Sequence, residues 1–227
     1  MLLKPFIQVA GIIDQAEADM LVRCGVKYLG FPLRLDFHKE DLSDDEAAKI
    51  IRSLPEGHHG VLITYLKTAD EINELLLKIG ANHVQIHGEI SLKELQKLRR
   101  IRPDAVLLKS LVIRQNNLNE LIHISKTFSS FINYFITDTY DETTGASGAT
   151  GKMHDLWKSG QLVENSLKPV VLAGGLRPKN VREAIIKVRP SGVDVHTGVE
   201  NSDGRKDETK VREFLKEAEK GFKEIGF

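Results

Sequence analysis

A chain of 227 residues carries 32 Lys plus Arg against 32 Asp plus Glu, a formal net charge of zero, so no global field draws it to nucleic acid or to an anionic membrane. Its single cysteine, Cys24, excludes an internal disulfide and suits a reducing, cytoplasmic compartment. No stretch rich in Pro, Gly or Ser divides the sequence, and residues 1–227 read as one domain.

The first ten residues are apolar but interrupted by Lys4, Pro5 and Gln8. They are too short and too polar for a signal or membrane span, and Phe6–Ala10 reads as a strand. A helical pattern opens near Asp14 and carries Cys24 as a packed residue near its end. The alternation then repeats. Strands are expected at Lys27–Phe31, Gly60–Thr64, His83–His87, Ala105–Lys109, Tyr134–Asp138, Pro169–Ala173 and Gly192–His196. Helices are expected to begin near Ser43, Thr68, Ser91, Asn116, Lys152, Pro178 and Asp207. Ser43-Asp-Asp-Glu46 is a capping-box pattern, and His58-His59 reads as part of a turn. Eight βα units in about this length match a closed α/β barrel, the (β/α)8 or TIM barrel, for which roughly 250 residues is typical. An open doubly wound sheet would usually place its glycine-rich phosphate turn after the first strand, whereas here the glycines come late.

Two late strand ends carry the strongest ligand signal. Val170-Val-Leu-Ala-Gly-Gly-Leu176 runs into paired glycines and a helix opening, and Gly192-Val-Asp-Val-His-Thr-Gly198 ends in polar residues and a glycine. Backbone N–H groups at such turns, beside a positive helix end, suit a phosphate. Gly174, Gly175, Thr197 and Gly198 are therefore the expected phosphate contacts, and a small phosphorylated molecule the expected ligand.

Alternate strand residues of a barrel face inward, and chemistry sits at the C-terminal strand ends. On the inward parity lie Gln8 and Ala10, then His83, Gln85 and His87, then Asp138, then Asp194 and His196. The apolar Val193 and Val195 would face the helices. Asp138 ends an apolar run and precedes a long loop, which favours a role in chemistry over helix capping. His83 and His87 would stand roughly 13 Å apart at about 3.3 Å per residue, too far to share a metal. The loop 139–152 fails the G-x-x-x-x-G-K-[ST] pattern, because Ala146 holds the first glycine position and Met153 follows the lysine. It suits a flap rather than an ATP loop.

These residues together resemble the phosphoribosylanthranilate isomerase family of tryptophan biosynthesis, over nearly the whole chain. Val84-Gln-Ile-His-Gly88 stands for the family's V-Q-L-H-G, Phe135-Ile-Thr-Asp138 for its strand-six L-L-D, and Gly148-Ala-Thr-Gly151 for its G-G-T-G. Leu172-Ala-Gly-Gly-Leu176 with Pro178 and Asn180 matches L-A-G-G-L-x-P-x-N, and Val193-Asp-Val-His-Thr-Gly-Val-Glu200 matches V-D-V-S-S-G-V-E.

The resemblance implies a cofactor-free Amadori rearrangement of a phosphoribosyl aminoaldose to an aminoketose, with no metal. Asp138 would be the acid that protonates the ring oxygen, and Gly151 would join the phosphate contacts. The family's strand-one base, the cysteine of K-x-C-G, is Ala10 here, and Gln8 stands at the lysine. The family's S-P-R segment, whose arginine meets the anthranilate carboxylate, is also missing. In its place Arg34 or Lys39 would meet the carboxylate, and Asp36 or His38 would be a relocated base. Gln8, Gln85, His87, Asp194 and His196 would line the substrate. A barrel isomerase or lyase for another sugar phosphate, and a non-catalytic phosphometabolite binder, are the alternative readings. Oligomeric state is not readable from the sequence.

Overall fold

The computed structural model describes residues 5–35, 40–139 and 156–227. Its parallel strands are β1 (Phe6–Ala10), β2 (Tyr28–Pro32), β3 (His59–Thr64), β4 (His83–Ile86), β5 (Val106–Ile113), β6 (Tyr134–Thr139), β7 (Val170–Leu172) and β8 (Gly192–Val195). They close in sequence order, with β8 paired to β1 through Phe6↔Gly192 and Gln8↔Asp194. The helices are α1 (Gln15–Cys24), α2 (Asp44–Ser53), α3 (Ala69–Ile79), α4 (Leu92–Ile101), α5 (Leu118–Phe128), α6 (Leu156–Asn165), α7 (Val181–Val188) and α8 (Glu208–Glu224). The closed (β/α)8 barrel expected from the alternation is therefore the fold.

Two apolar clusters follow from the strand parity. Phe6, Val61, Leu108, Ile136, Val171 and Ala173 fill the barrel interior. Val9, Leu62, Leu107, Phe135, Val193 and Val195 face outward and pack with the buried faces of the helices. Burial on both sides is why these strands read as nearly continuous apolar runs. Helix entry is fixed locally. Asp14 Oδ1 accepts from Glu17 N at 2.8 Å, and the Ser43–Glu46 capping box forms as expected. Gly25 and Gly80, at φ 93 and 75, end α1 and α3 in the left-handed conformation that glycine adopts without strain.

Several element ends lie one or two residues from the sequence expectation, with His87 and His196 just past β4 and β8, and three boundaries differ for a visible physical reason. β5 continues four residues past Lys109, because Ser110 to Ile113 pair with β6. The lysine does not end the strand, since its Nζ donates to Ser110 O at 2.9 Å and burial pushes the amine down to about 8. α7 starts at Val181 rather than near Pro178, because Asn180 first ties the turn together: its Oδ1 accepts from Arg177 N at 2.8 Å and its Nδ2 donates to Gly175 O at 3.0 Å. His59 opens β3 instead of ending in a turn. Its ring lies 4.5 Å from that of His83 and 5.4 Å from that of Tyr28, in an aromatic stack at the N-terminal end of the barrel that includes Phe6. The expected helix start at Lys152 lies outside the described residues. Cys24 is half-buried against Met20, as a packed residue should be, and burial raises its thiol pKa.

Candidate active site

Above the apolar interior layer the inward side chains turn polar. Gln8 Nε2 donates to Gln85 Oε1 at 3.0 Å, and Gln85 Nε2 donates to Ser110 Oγ at 3.3 Å. Asp194 is the Cα partner of Gln8 across the β1–β8 seam. All four side chains are buried. Among the described residues, Gln8 Oε1 and Asp194 Oδ1 are buried without a hydrogen-bond partner. Burial, and then the nearby Asp138 carboxylate, push the Asp194 carboxyl up to about 7, against the opposing influence of Gln8 and Lys206. Asp194 thus holds its proton far more readily than an ordinary carboxyl does. The amide chain and this acid form a polar floor below the strand ends.

At the mouth, the ends of β4 and β6 bring His87 and Asp138 together, with Nε2 and Oδ2 2.7 Å apart and both side chains buried. The His87 ring stacks on Tyr65, just past β3, at 4.6 Å between centroids. An imidazole held to a carboxyl at this distance fixes the direction in which the acid presents its other oxygen. Next to β6 in the barrel, β7 pairs in turn with β8 through Leu172↔Val193, so their two polar ends are neighbours. Gly174 and Gly175 have φ of 98 and 65. Thr197–Val199 form a short 3-10 turn whose Gly198 presses on the preceding loop, where an added Cβ would come 1.8 Å from Leu176 O. The two loops that carry the four residues expected to hold phosphate therefore touch, at Gly198 and Leu176.

Ala10 ends β1 facing the mouth and is buried. His196 follows β8 with Nε2 3.4 Å from Glu200 Oε1, and Glu200 Oε1 is also 2.7 Å from Lys206 Nζ. Arg34 is turned toward the start of α2, where Asp44 accepts from it at 2.5 Å and from Lys78 at 3.0 Å. Asp36, His38, Lys39 and Gly151 lie outside the described residues. Sequence reasoning missed Ser110, because the strand was ended at the charge of Lys109. It also missed Tyr65, and Lys206, whose role appears only when the segment after β8 folds back. His83 belongs to the opposite end of the barrel from His87, so the two do not act together.

The sequence matches the family of N-(5'phosphoribosyl)anthranilate (PRA) isomerases over residues 7–217. A Methanosarcina mazei protein named N-(5'-phosphoribosyl)anthranilate isomerase 2 is 36% identical over 217 residues, which cover 95% of each chain. The solved phosphoribosyl anthranilate isomerase of Thermotoga maritima superposes with a TM-score of 0.78 at 25% identity, covering 94% of this chain and 98% of that one. Another solved phosphoribosyl anthranilate isomerase, in complex with reduced 1-(o-carboxyphenylamino)-1-deoxyribulose 5-phosphate, gives 0.74 at 24% identity over 94% and 97%, a likeness of fold. With a match along nearly the whole length and the barrel in place, the chain belongs to the N-(5'-phosphoribosyl)anthranilate isomerase family.

Proposed function

We propose that the protein catalyses the family's reaction, the cofactor-free rearrangement of phosphoribosylanthranilate from aminoaldose to aminoketose in tryptophan biosynthesis, in the cytoplasm. The observation that carries the reading is the buried His87–Asp138 pair at 2.7 Å, at the strand ends and on the same rim as the glycine ends of β7 and β8. Asp138 is the acid that protonates the ribose ring oxygen, and His87 orients it. Opening the ring leaves an iminium at C1, and removal of the C2 proton then gives an enolamine that becomes the ketone. Gly174, Gly175, Thr197 and Gly198, with Gly151, hold the phosphate through backbone N–H groups. Gln8, Gln85 and Asp194 form the floor under the sugar. Lys39 is the proposed cation for the anthranilate carboxylate by its place in the sequence, and Arg34, the other candidate, is engaged with Asp44.

The test supplies the purified protein with phosphoribosylanthranilate made in situ and follows the loss of its fluorescence. Turnover by the parent, and a loss of about 10²- to 10⁴-fold in Asp138→Asn, is the expected result for removal of a general acid. Equal turnover by both proteins would refute the assignment of Asp138.

A further inference from the structure

Alanine at position 10 has no group that accepts a proton, yet the rearrangement requires one to leave C2. We propose that His196, at the end of β8, is the general base that replaces the side chain lost from β1; the proposal rests on the isomerase reading above. The position of its ring carries the inference. A Cβ built on Gly11 would come 2.0 Å from His196 Nε2, 2.6 Å from Cδ2 and 2.7 Å from Cε1. The imidazole therefore lies directly against the backbone that follows Ala10, in space that any side chain at position 11 would occupy. Gly11 also has φ of 80, so the same residue provides the turn and the room. The cross-strand neighbour of Ala10 is also a glycine, Gly30, where an added Cβ would come 2.8 Å from Ile63 Cδ1 and 2.9 Å from Ala10 Cα. Ala10 and Gly11 thus leave the end of β1 without a side chain larger than a methyl group where the imidazole lies.

A base must also be held in place and remain reachable. Glu200 Oε1 stands 3.4 Å from His196 Nε2, and Lys206 Nζ, on a side chain with 0% exposure, fixes that same oxygen at 2.7 Å. The backbone of this segment is anchored in turn, because Glu17 accepts from Lys206 N at 2.7 Å and from Ile13 N at 3.2 Å. The ends of β1 and β8 are therefore tied into one unit through α1. The His196 side chain keeps 30% exposure, so the ring is not sealed inside the protein. A carboxylate beside the ring favours the imidazolium formed when the proton arrives.

In the proposed step the electron pair of the C2–H bond becomes the C1=C2 double bond, and the pair of the C1=N iminium bond moves onto nitrogen. The proton passes to His196. A proton then returns to C1 while the C2 hydroxyl loses its own, which gives the ketone. C2 is oxidised and C1 reduced within the same substrate, so no external oxidant or reductant is needed.

The experiment measures steady-state turnover of phosphoribosylanthranilate by the parent, Asp138→Asn, His196→Gln, His196→Gly with and without added imidazole, and the Ala10→Cys/His196→Gln double variant. Melting curves and the affinity for inorganic phosphate report folding. The expected result for His196→Gln is a fall in kcat of about 10²- to 10⁴-fold with KM within about threefold. Imidazole should restore His196→Gly at least about tenfold, and the thiol introduced by Ala10→Cys should restore the double variant similarly, as only a proton-transfer role allows. His196→Gln turning over within about threefold of the parent, while Asp138→Asn is dead, would overturn the proposal and leave the isomerase reading standing. A deep loss that neither imidazole nor the Ala10→Cys change repairs would make His196 structural and also overturn it. A folded parent without turnover would overturn both readings.

Discussion

Asp194, buried, and His83, half-buried, are titratable groups at different heights of the barrel, and they act on stability with opposite signs. The Asp194 carboxyl is raised from 3.8 to about 7. Between those values the unfolded chain has released the proton while the folded chain still holds it, so stability falls as pH rises from about 4 to 7. The shift corresponds to about 4 kcal/mol as an upper bound. Asp194→Asn keeps the shape of the protonated acid without the cost of ionisation. It should melt higher than the parent at pH 8 and level with it at pH 4, by calorimetry; an unchanged difference across that range would contradict the buried-acid account. His83 is lowered from 6.5 to about 4 by burial and by His59. Its contribution is fully present above pH 6.5 and is lost as pH falls toward 4, about 3 kcal/mol at most. His83→Gln should therefore flatten the acid side of the melting profile, and an equally steep acid limb would show that other groups control it. Because the two windows overlap, the parent's own profile between pH 4 and 7 partly cancels, and only the single variants separate the two slopes.

At the scale of elements, the strand ends are shaped by how closely neighbouring loops approach. Gly198 sits where a methyl group would meet Leu176 O at 1.8 Å, so the turn after β8 and the loop after β7 touch through bare backbone. Gly198→Ala must push them apart. The expected outcome is a loss of at least about tenfold in affinity for inorganic phosphate, read as a smaller phosphate-dependent rise in Tm. An unchanged rise would mean that these two loops do not share an anion. The same closeness explains why α7 starts late: Asn180 bonds Arg177 N and Gly175 O, which holds the glycine turn open before the helix begins. Asp44, in the first turn of α2, is buried between Arg34 and Lys78, so the segment after β2 is pinned to the helix that follows it. A basic side chain there supports the fold before it can serve a ligand.

The whole molecule depends on the β8–β1 seam, where the last strand meets the first and the polar floor is completed by Gln8 and Asp194. Gly192 makes that approach possible, since a Cβ there would be 2.2 Å from Phe6 O and 2.7 Å from Phe6 Cβ. Gly192→Ala should cost about 1–3 kcal/mol, the usual range for overpacking, in denaturant unfolding. It should also weaken turnover beyond what stability explains, because it separates the two halves of the floor. A variant with parental midpoint and slope would show that the seam has slack.

Much was determined by the sequence alone: eight strands and eight helices in order, the (β/α)8 closure, and the inward parity of Gln8, Gln85, Asp138 and Asp194. These follow from local periodicity, capping side chains and glycine placement, which act over a few residues and leave direct marks in the chain. The turn at Gly174 and Gly175 was legible for the same reason, because a backbone that must turn at positive φ needs glycine. Tertiary structure decided what touches what. It extended β5 through a charged residue, because burial there is compensated by carbonyls the sequence does not reveal as neighbours. It set His87 against Asp138, 51 positions apart. It also laid His196 over Gly11, a contact across the closing seam that no local pattern encodes, since it exists only once the first and last strands meet.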